Sequence, residues 1–258
     1  MAARKKSESS IRSHAAVPVP PNAVRVWRGF RLATSQPADF LQQLGSIFIP
    51  ATAVLQRLYG LTAYLPTVLP TNKPGGVPDE IAIVFYKTQQ AYTDTSLIVA
   101  GRAYSALHKT VFAFPASLSD FPAKLKSAVI FDQPYYLFDE EVDWQQGFSQ
   151  VFVGARPQSS SQATFQSQFR DFFLDQQNRP AAGCNGGLFC VSADYVVYWE
   201  HWESEAASLH GRISDLPQLA TRVVLQPHKP HEIEPSISAH YKGMTDVESK
   251  SLNILFPR

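Results

Sequence analysis

Three sets of residues in this 258-residue chain have the types and spacing that chemistry requires. In YVVYWEHW, Tyr198, Glu200 and Trp202 alternate with Val197, Trp199 and His201, and a strand sends alternate side chains to opposite faces. A carboxyl enclosed by Tyr and Trp has its charged form disfavoured and its pKa raised, so Glu200 is a candidate general base toward an acidic aromatic substrate. The same trio also suits an ordinary core, with Glu200 paired to an arginine or capping a helix. In the second set, Tyr104 and His108 stand four apart beside Arg102 on a predicted helix, so they share a face, and histidine titrates in the range useful for proton transfer. In the third, Trp27, Arg28, Tyr64 and Tyr86 fall on predicted strands and can line an aromatic pocket, with Arg28 as a clamp for an anion. An aromatic core has the same composition.

Other constellations point away from metals and nucleotides. His228 and His231 have a spacing that some metal sites use but no further ligands nearby. GCNGG at 183–187 reads as a turn, because the lysine and hydroxyl of a phosphate loop are missing. Cys184 and Cys190 are too few for a disulfide framework and read as two reduced thiols. No metal or other cofactor is expected. Basic and acidic residues nearly cancel, leaving a formal charge of +1, unlike the basic footprint of a nucleic-acid binder. No apolar run approaches the ~20 residues of a membrane-spanning helix, and 1–22, polar and then Pro-rich, lacks the apolar stretch of a secretory signal. The expected setting is cytoplasmic, with 1–22 as a disordered tail.

The elements that must position these residues repeat. VRVWRGFRL alternates from Val24 as a first strand. Thr34 or Ser35 can cap a helix from about Pro37 to Leu58, with Pro37 in its first turn and a kink or break near Phe48 ahead of Pro50. LTAYLPTVLP carries two prolines and reads as a short or edge strand. EIAIVFYK is a strand, and Gln89 to Val111 has helical periodicity. A long irregular connection follows, and PYYLF at 134–138 offers the last short strand of the first half. The second half runs QVFVGAR as strand, a Ser-capped helix with Phe165, Phe169, Phe172, Phe173 and Leu174, strands at 186–192 and 195–202, a helix from about Ser204, and TRVVL as strand. Each half reads β-α-β-β-α-β, the split βαβ pattern. The predicted fold class is therefore α+β, with two tandem ferredoxin-like halves, 23–145 and 146–226, and a C-terminal tail at 227–258. A sheet with helices on one face leaves the other bare, so the halves are expected to pack sheet to sheet as a pseudo-dimeric α+β barrel.

The stretch from Tyr195 to Leu219, YVVYWEHWESEAASLHGRISDLPQL, resembles the antibiotic-biosynthesis-monooxygenase-like superfamily of dimeric α+β barrels. The resemblance lies in a strand ending in Glu-x-Trp, then acidic residues and an alanine opening a helix, with a histidine one turn on: Glu200, Trp202, Glu203, Glu205, Ala206 and His210. FYKTQQAYTDT in the first half echoes it faintly, with Tyr86 and Thr88 where Glu and Trp would stand. The resemblance implies two sheet-packed units with a pocket in each. It also implies a small-molecule pocket protein without metal or flavin, such as a cofactor-free oxygenase, cyclase or isomerase on an apolar or aromatic substrate. Architecture follows from such membership more closely than reaction does. The other class compatible with these residues is a non-catalytic structural or interaction protein, monomeric or homo-oligomeric. An enclosed pocket of several hundred Å³ with convergent polar groups separates the two.

Overall fold

The computed structural model describes residues 23–48, 51–52, 60–69, 73–138, 142, 144, 148–211, 215–219, 221–228 and 254–255. Strand β1 (Ala23–Gly29) starts the described chain, and its alternation decides everything built on it. Val24 and Val26 enter one core, while Trp27 enters another on the opposite side of the strand. Helix α1 (Pro37–Gln43) opens with Pro37 in its first turn. Its N-cap is Gln36, whose side chain makes no capping bond, and not Thr34 or Ser35. At the expected irregularity α1 passes into a π-helical turn, Leu44–Phe48. Pro50 and the predicted end of the helix near Leu58 lie outside the described residues.

Strands β2 (Leu61–Val68) and β3 (Glu80–Tyr86) follow. β3 pairs antiparallel with both β2 and β1, and a bulge between Leu61 and Ala63 resets the alternation of β2. The periodic stretch 89–111 is two helices, α2 (Gln89–Leu97) and α3 (Val99–Val111), broken where Ile98 adopts an extended backbone. Gly101 permits the break. A Cβ there would lie 1.7 Å from the carbonyl oxygen of Thr95, so only glycine lets α3 fold back this closely on α2.

The fourth strand of the first sheet is β4 (Leu118–Asp120), inside the connection read as irregular. β5 (Ala123–Lys124) and β6 (Pro134–Tyr136) join the second sheet instead. This corrects the placement of PYYLF: β6 pairs with β8, Tyr135 stacks on Phe189, and Leu137 is buried in the second half's core. No local pattern announces which of two sheet edges so short a strand will join.

β7 (Phe148–Ala155), α4 (Gln162–Asn178), β8 (Cys184–Val191), β9 (Tyr195–Trp202), α5 (Glu205–Ser208) and β10 (Thr221–His228) come in the predicted order. Ser161 caps α4 by accepting from the Thr164 amide at 3.1 Å. Phe165, Phe169 and Phe173, four apart, form its buried stripe, and Phe173 stacks on Phe189 with ring centroids 3.7 Å apart. Within the segment read as a C-terminal tail, β11 (Ile254–Leu255) pairs with β2 at the edge of the first sheet.

The sheets run β11-β2-β3-β1-β4 and β10-β7-β9-β8-β6-β5. In each, the four strands of a half lie in the order second, third, first, fourth, so a common arrangement recurs twice. Between the sheets lies a core of Val24, Val26, Ile81, Ile83 and Phe85 against Val151, Val153, Leu188, Val197 and Trp199. One outer core lies under α1 and α3, the other under α4. The architecture is thus α+β, helices outside and two sheets within. Burial on both faces explains why β9 carries no exposed residue and reads as apolar at both parities. Among the described residues no helix is long and apolar enough to cross a membrane.

Candidate functional site

A cavity of about 300 Å³ lies between the first sheet and its helices. Its floor is the helix-facing side of the sheet: Arg25 and Trp27 of β1, Tyr64 of β2, Val84 and Tyr86 of β3. Its roof is α2 and α3, through Tyr92, Thr95, Gly101, Tyr104, Ser105 and His108. Phe48 of the π-helical turn closes one side. The reason for the space is in the roof. Gly101 and Ser105, four apart, put small side chains over the aromatic floor. In the second half, Phe165, Phe169 and Phe173 fill the space under α4.

Glu80 sits behind the floor, fully buried, at the start of β3. Its Oε2 accepts from Trp27 Nε1 at 3.0 Å, and its Oε1 is hydrogen-bonded to the Tyr64 hydroxyl. Burial raises its pKa from 4.5 to about 7, against the pull of these two donors. A carboxyl that exchanges its proton near neutrality is therefore wired to two side chains lining the cavity. Glu80 was not among the residues singled out in the sequence. The available signal was parity, because in EIAIVFYK it shares a face with Ala82, Val84 and Tyr86.

His108 donates from Nδ1 to the Tyr104 carbonyl at 2.9 Å, since a carbonyl can only accept. The neutral ring's Nε2 is then the lone-pair acceptor. Burial lowers the His108 pKa to about 4, opposed by that hydrogen bond, so the ring is neutral at physiological pH. It is held edge-on by Trp27, Phe48 and Tyr104, with centroids 5.4, 4.5 and 4.5 Å away. Tyr104 bonds the Thr52 hydroxyl, and burial holds the phenols of Tyr104 and Tyr86 in their protonated form.

Of the residues proposed from sequence, Trp27, Tyr64, Tyr86, Tyr104 and His108 line this one cavity. Arg28 does not. Adjacent strand residues face opposite ways, so Arg28 points toward the second sheet and Arg25 takes the place beside Trp27. Arg28 is fully buried, donating to Asp120 at 2.8 Å and to the carbonyls of Asp132 and Val26 at 3.0 and 3.2 Å, which ties β1 to β4 and to the approach to β6. Arg102 is exposed and bonds the Leu97 carbonyl.

Tyr198, Glu200 and Trp202 lie in the other half, buried on the helix-facing side of β9. Glu200 Oε2 accepts from Trp202 Nε1 at 3.2 Å, and burial raises its pKa to about 7, with Tyr198 and Trp202 as opposing hydrogen-bond partners. Each half thus buries a carboxyl against a Trp and a Tyr, but only the first set adjoins the described cavity. His210 is exposed, the backbone of His228 ends β10, and His231 lies outside the described residues. Among the described residues no three His, Cys, Asp or Glu side chains are grouped to hold a metal.

No protein-family model matches the chain, and no curated protein matches it in sequence. Its fold is similar to solved structures of two provisionally assigned monooxygenases and an anthrone oxidase-like protein. The monooxygenase from Lactobacillus acidophilus NCFM is 7% identical with a TM-score of 0.34 over 79% of this chain and 91% of that one. That from Fusobacterium nucleatum is 9% identical with a TM-score of 0.34 over 79% and 90%. The anthrone oxidase-like protein is 7% identical with a TM-score of 0.35 over 90% of each chain. At this distance no residue correspondence follows, and the site is read from its own geometry.

Proposed function

We propose that the chain is a fused pair of ferredoxin-like units of which the first holds a ligand cavity. The cavity binds a small aromatic molecule and carries out proton transfer on it, the step with which a cofactor-free oxygenase or a cyclase or isomerase begins. The observation that carries this reading is Glu80, a buried carboxyl bonded to the Tyr64 hydroxyl and the Trp27 indole, under a cavity that also presents His108. A ligand O–H or activated C–H gives its proton to the Tyr64 oxygen while Tyr64 passes its own to Glu80, and the reverse returns it. Neutral His108 accepts a hydrogen bond from the ligand and fixes its orientation. Glu200, proposed from sequence as the base, is a buried carboxyl at the opposite end of the equivalent strand of the second half and takes no part in this step.

Native mass spectrometry before and after denaturation, with tryptophan fluorescence titration against small phenols, tests the reading. The expected result is one ligand per chain, with binding lost in Ser105→Phe, which fills the cavity from its roof. Ligand binding unchanged in both Ser105→Phe and His108→Ala would place the ligand elsewhere and refute it.

A further inference from the structure

One cation, Arg25, lines the cavity, and no carboxylate lines it. Arg25 Nε donates to Ser119 Oγ at 3.1 Å and Nη2 to the Ser119 carbonyl, which leaves Nη1 without a partner among the described residues. Its guanidinium packs against the rings of Tyr92 and Phe121, 3.9 and 4.6 Å from their centroids, so it is held in place by the cavity wall. The nearest acid, Asp120, pairs across the sheet with Val26, on the face opposite to Arg25, and is engaged by Arg28 at 2.8 Å. Glu80 bonds Trp27 and Tyr64 and does not line the cavity. No lining residue is acidic, and the remaining polar groups there are hydroxyls and a histidine.

Resting on the cavity reading above, we propose that the ligand is an aromatic carboxylate, its anionic end on the Arg25 guanidinium and its ring between Trp27 and the aromatic residues of α3. A fixed, partly buried guanidinium with a spare N–H matches a carboxylate in geometry and charge, and the ligand supplies an anion inside the cavity, whose own lining has none. A cavity of about 300 Å³ is at the small end of ligand sites, so a mono- or bicyclic acid fits and a larger polycycle does not.

The test compares three probes of one shape, naphthoate, naphthamide and naphthol, by calorimetry on the full chain. Naphthoate is expected to bind about tenfold or more tighter than the amide, the preference a charge-assisted hydrogen bond confers. It should weaken as salt is raised. The preference should vanish in Arg25→Met and persist, reduced, in Arg25→Lys, with circular dichroism confirming that both variants fold. Naphthamide or naphthol binding as tightly as naphthoate to the unaltered protein overturns the anion assignment and leaves the cavity reading standing. So does a naphthoate preference that survives Arg25→Met. Failure of all three probes overturns both.

Discussion

Replacing Glu80 by glutamine keeps the shape and the acceptor for Trp27 while removing the charge. In the folded protein the Glu80 carboxyl titrates at about 7, against 4.5 when free of the fold. Each tenfold change in proton affinity corresponds to about 1.4 kcal/mol, so ionising Glu80 inside the fold costs about 3 kcal/mol more than ionising it in the unfolded chain. Because the folded value is the higher one, the stability it contributes is fully present below pH 4.5 and is lost as pH rises through 7. Glutamine has no such dependence. The stability of Glu80→Gln minus that of the parent protein should therefore grow by about 2 to 3 kcal/mol between pH 5 and pH 8, read by urea unfolding at each pH. Comparing the two proteins at one pH matters, because other groups titrate in the same interval. Glu200, also raised to about 7, adds a decline of the same sign. His108, lowered to about 4, acts oppositely, since its contribution is present above 6.5 and lost as pH falls through 4. An equal gap between variant and parent at both pH values would refute the claim that Glu80 is desolvated and exchanges its proton near neutrality.

Gly101→Ala should lower stability by about 1 to 3 kcal/mol, measured by thermal unfolding, because the new methyl meets the Thr95 carbonyl, a backbone atom that cannot rotate away. Burial pushes both thiols up to about 12, so neither Cys184 nor Cys190 should react with a disulfide reagent at pH 8 in the native state, and both should react after denaturation. A fast native reaction at Cys190 would show that the second sheet opens.

Five of the cavity's residues were legible before the structure because aromatic and titratable side chains on predicted strands and one helix are rare enough to stand out. Tyr104 and His108 share a helix face by their spacing alone, and the strand alternation of VRVWRG already separates Trp27 from Arg28. What alternation does not say is which parity faces the helices. That depends on where the second sheet docks, which is why Arg25, and not Arg28, is the cavity's cation. Glu80 does not stand out for a related reason: a glutamate at a strand's first residue reads as a solvated end until neighbouring strands enclose it.

By itself the sequence determined the order of elements from β7 onward and the presence of strands apolar on both faces, because these depend on periodicity and turn residues within a few positions of one another. Only the tertiary structure decided which sheet receives β6, that Ile254 and Leu255 return to the edge of β2, and that a cavity opens between the first sheet and α2 and α3. These outcomes depend on pairings between distant segments and on whether the side chains of one layer fill the space left by the next. Gly101 and Ser105 acquire meaning only against the floor of Trp27, Tyr64 and Tyr86, as Phe173 does only against Phe189.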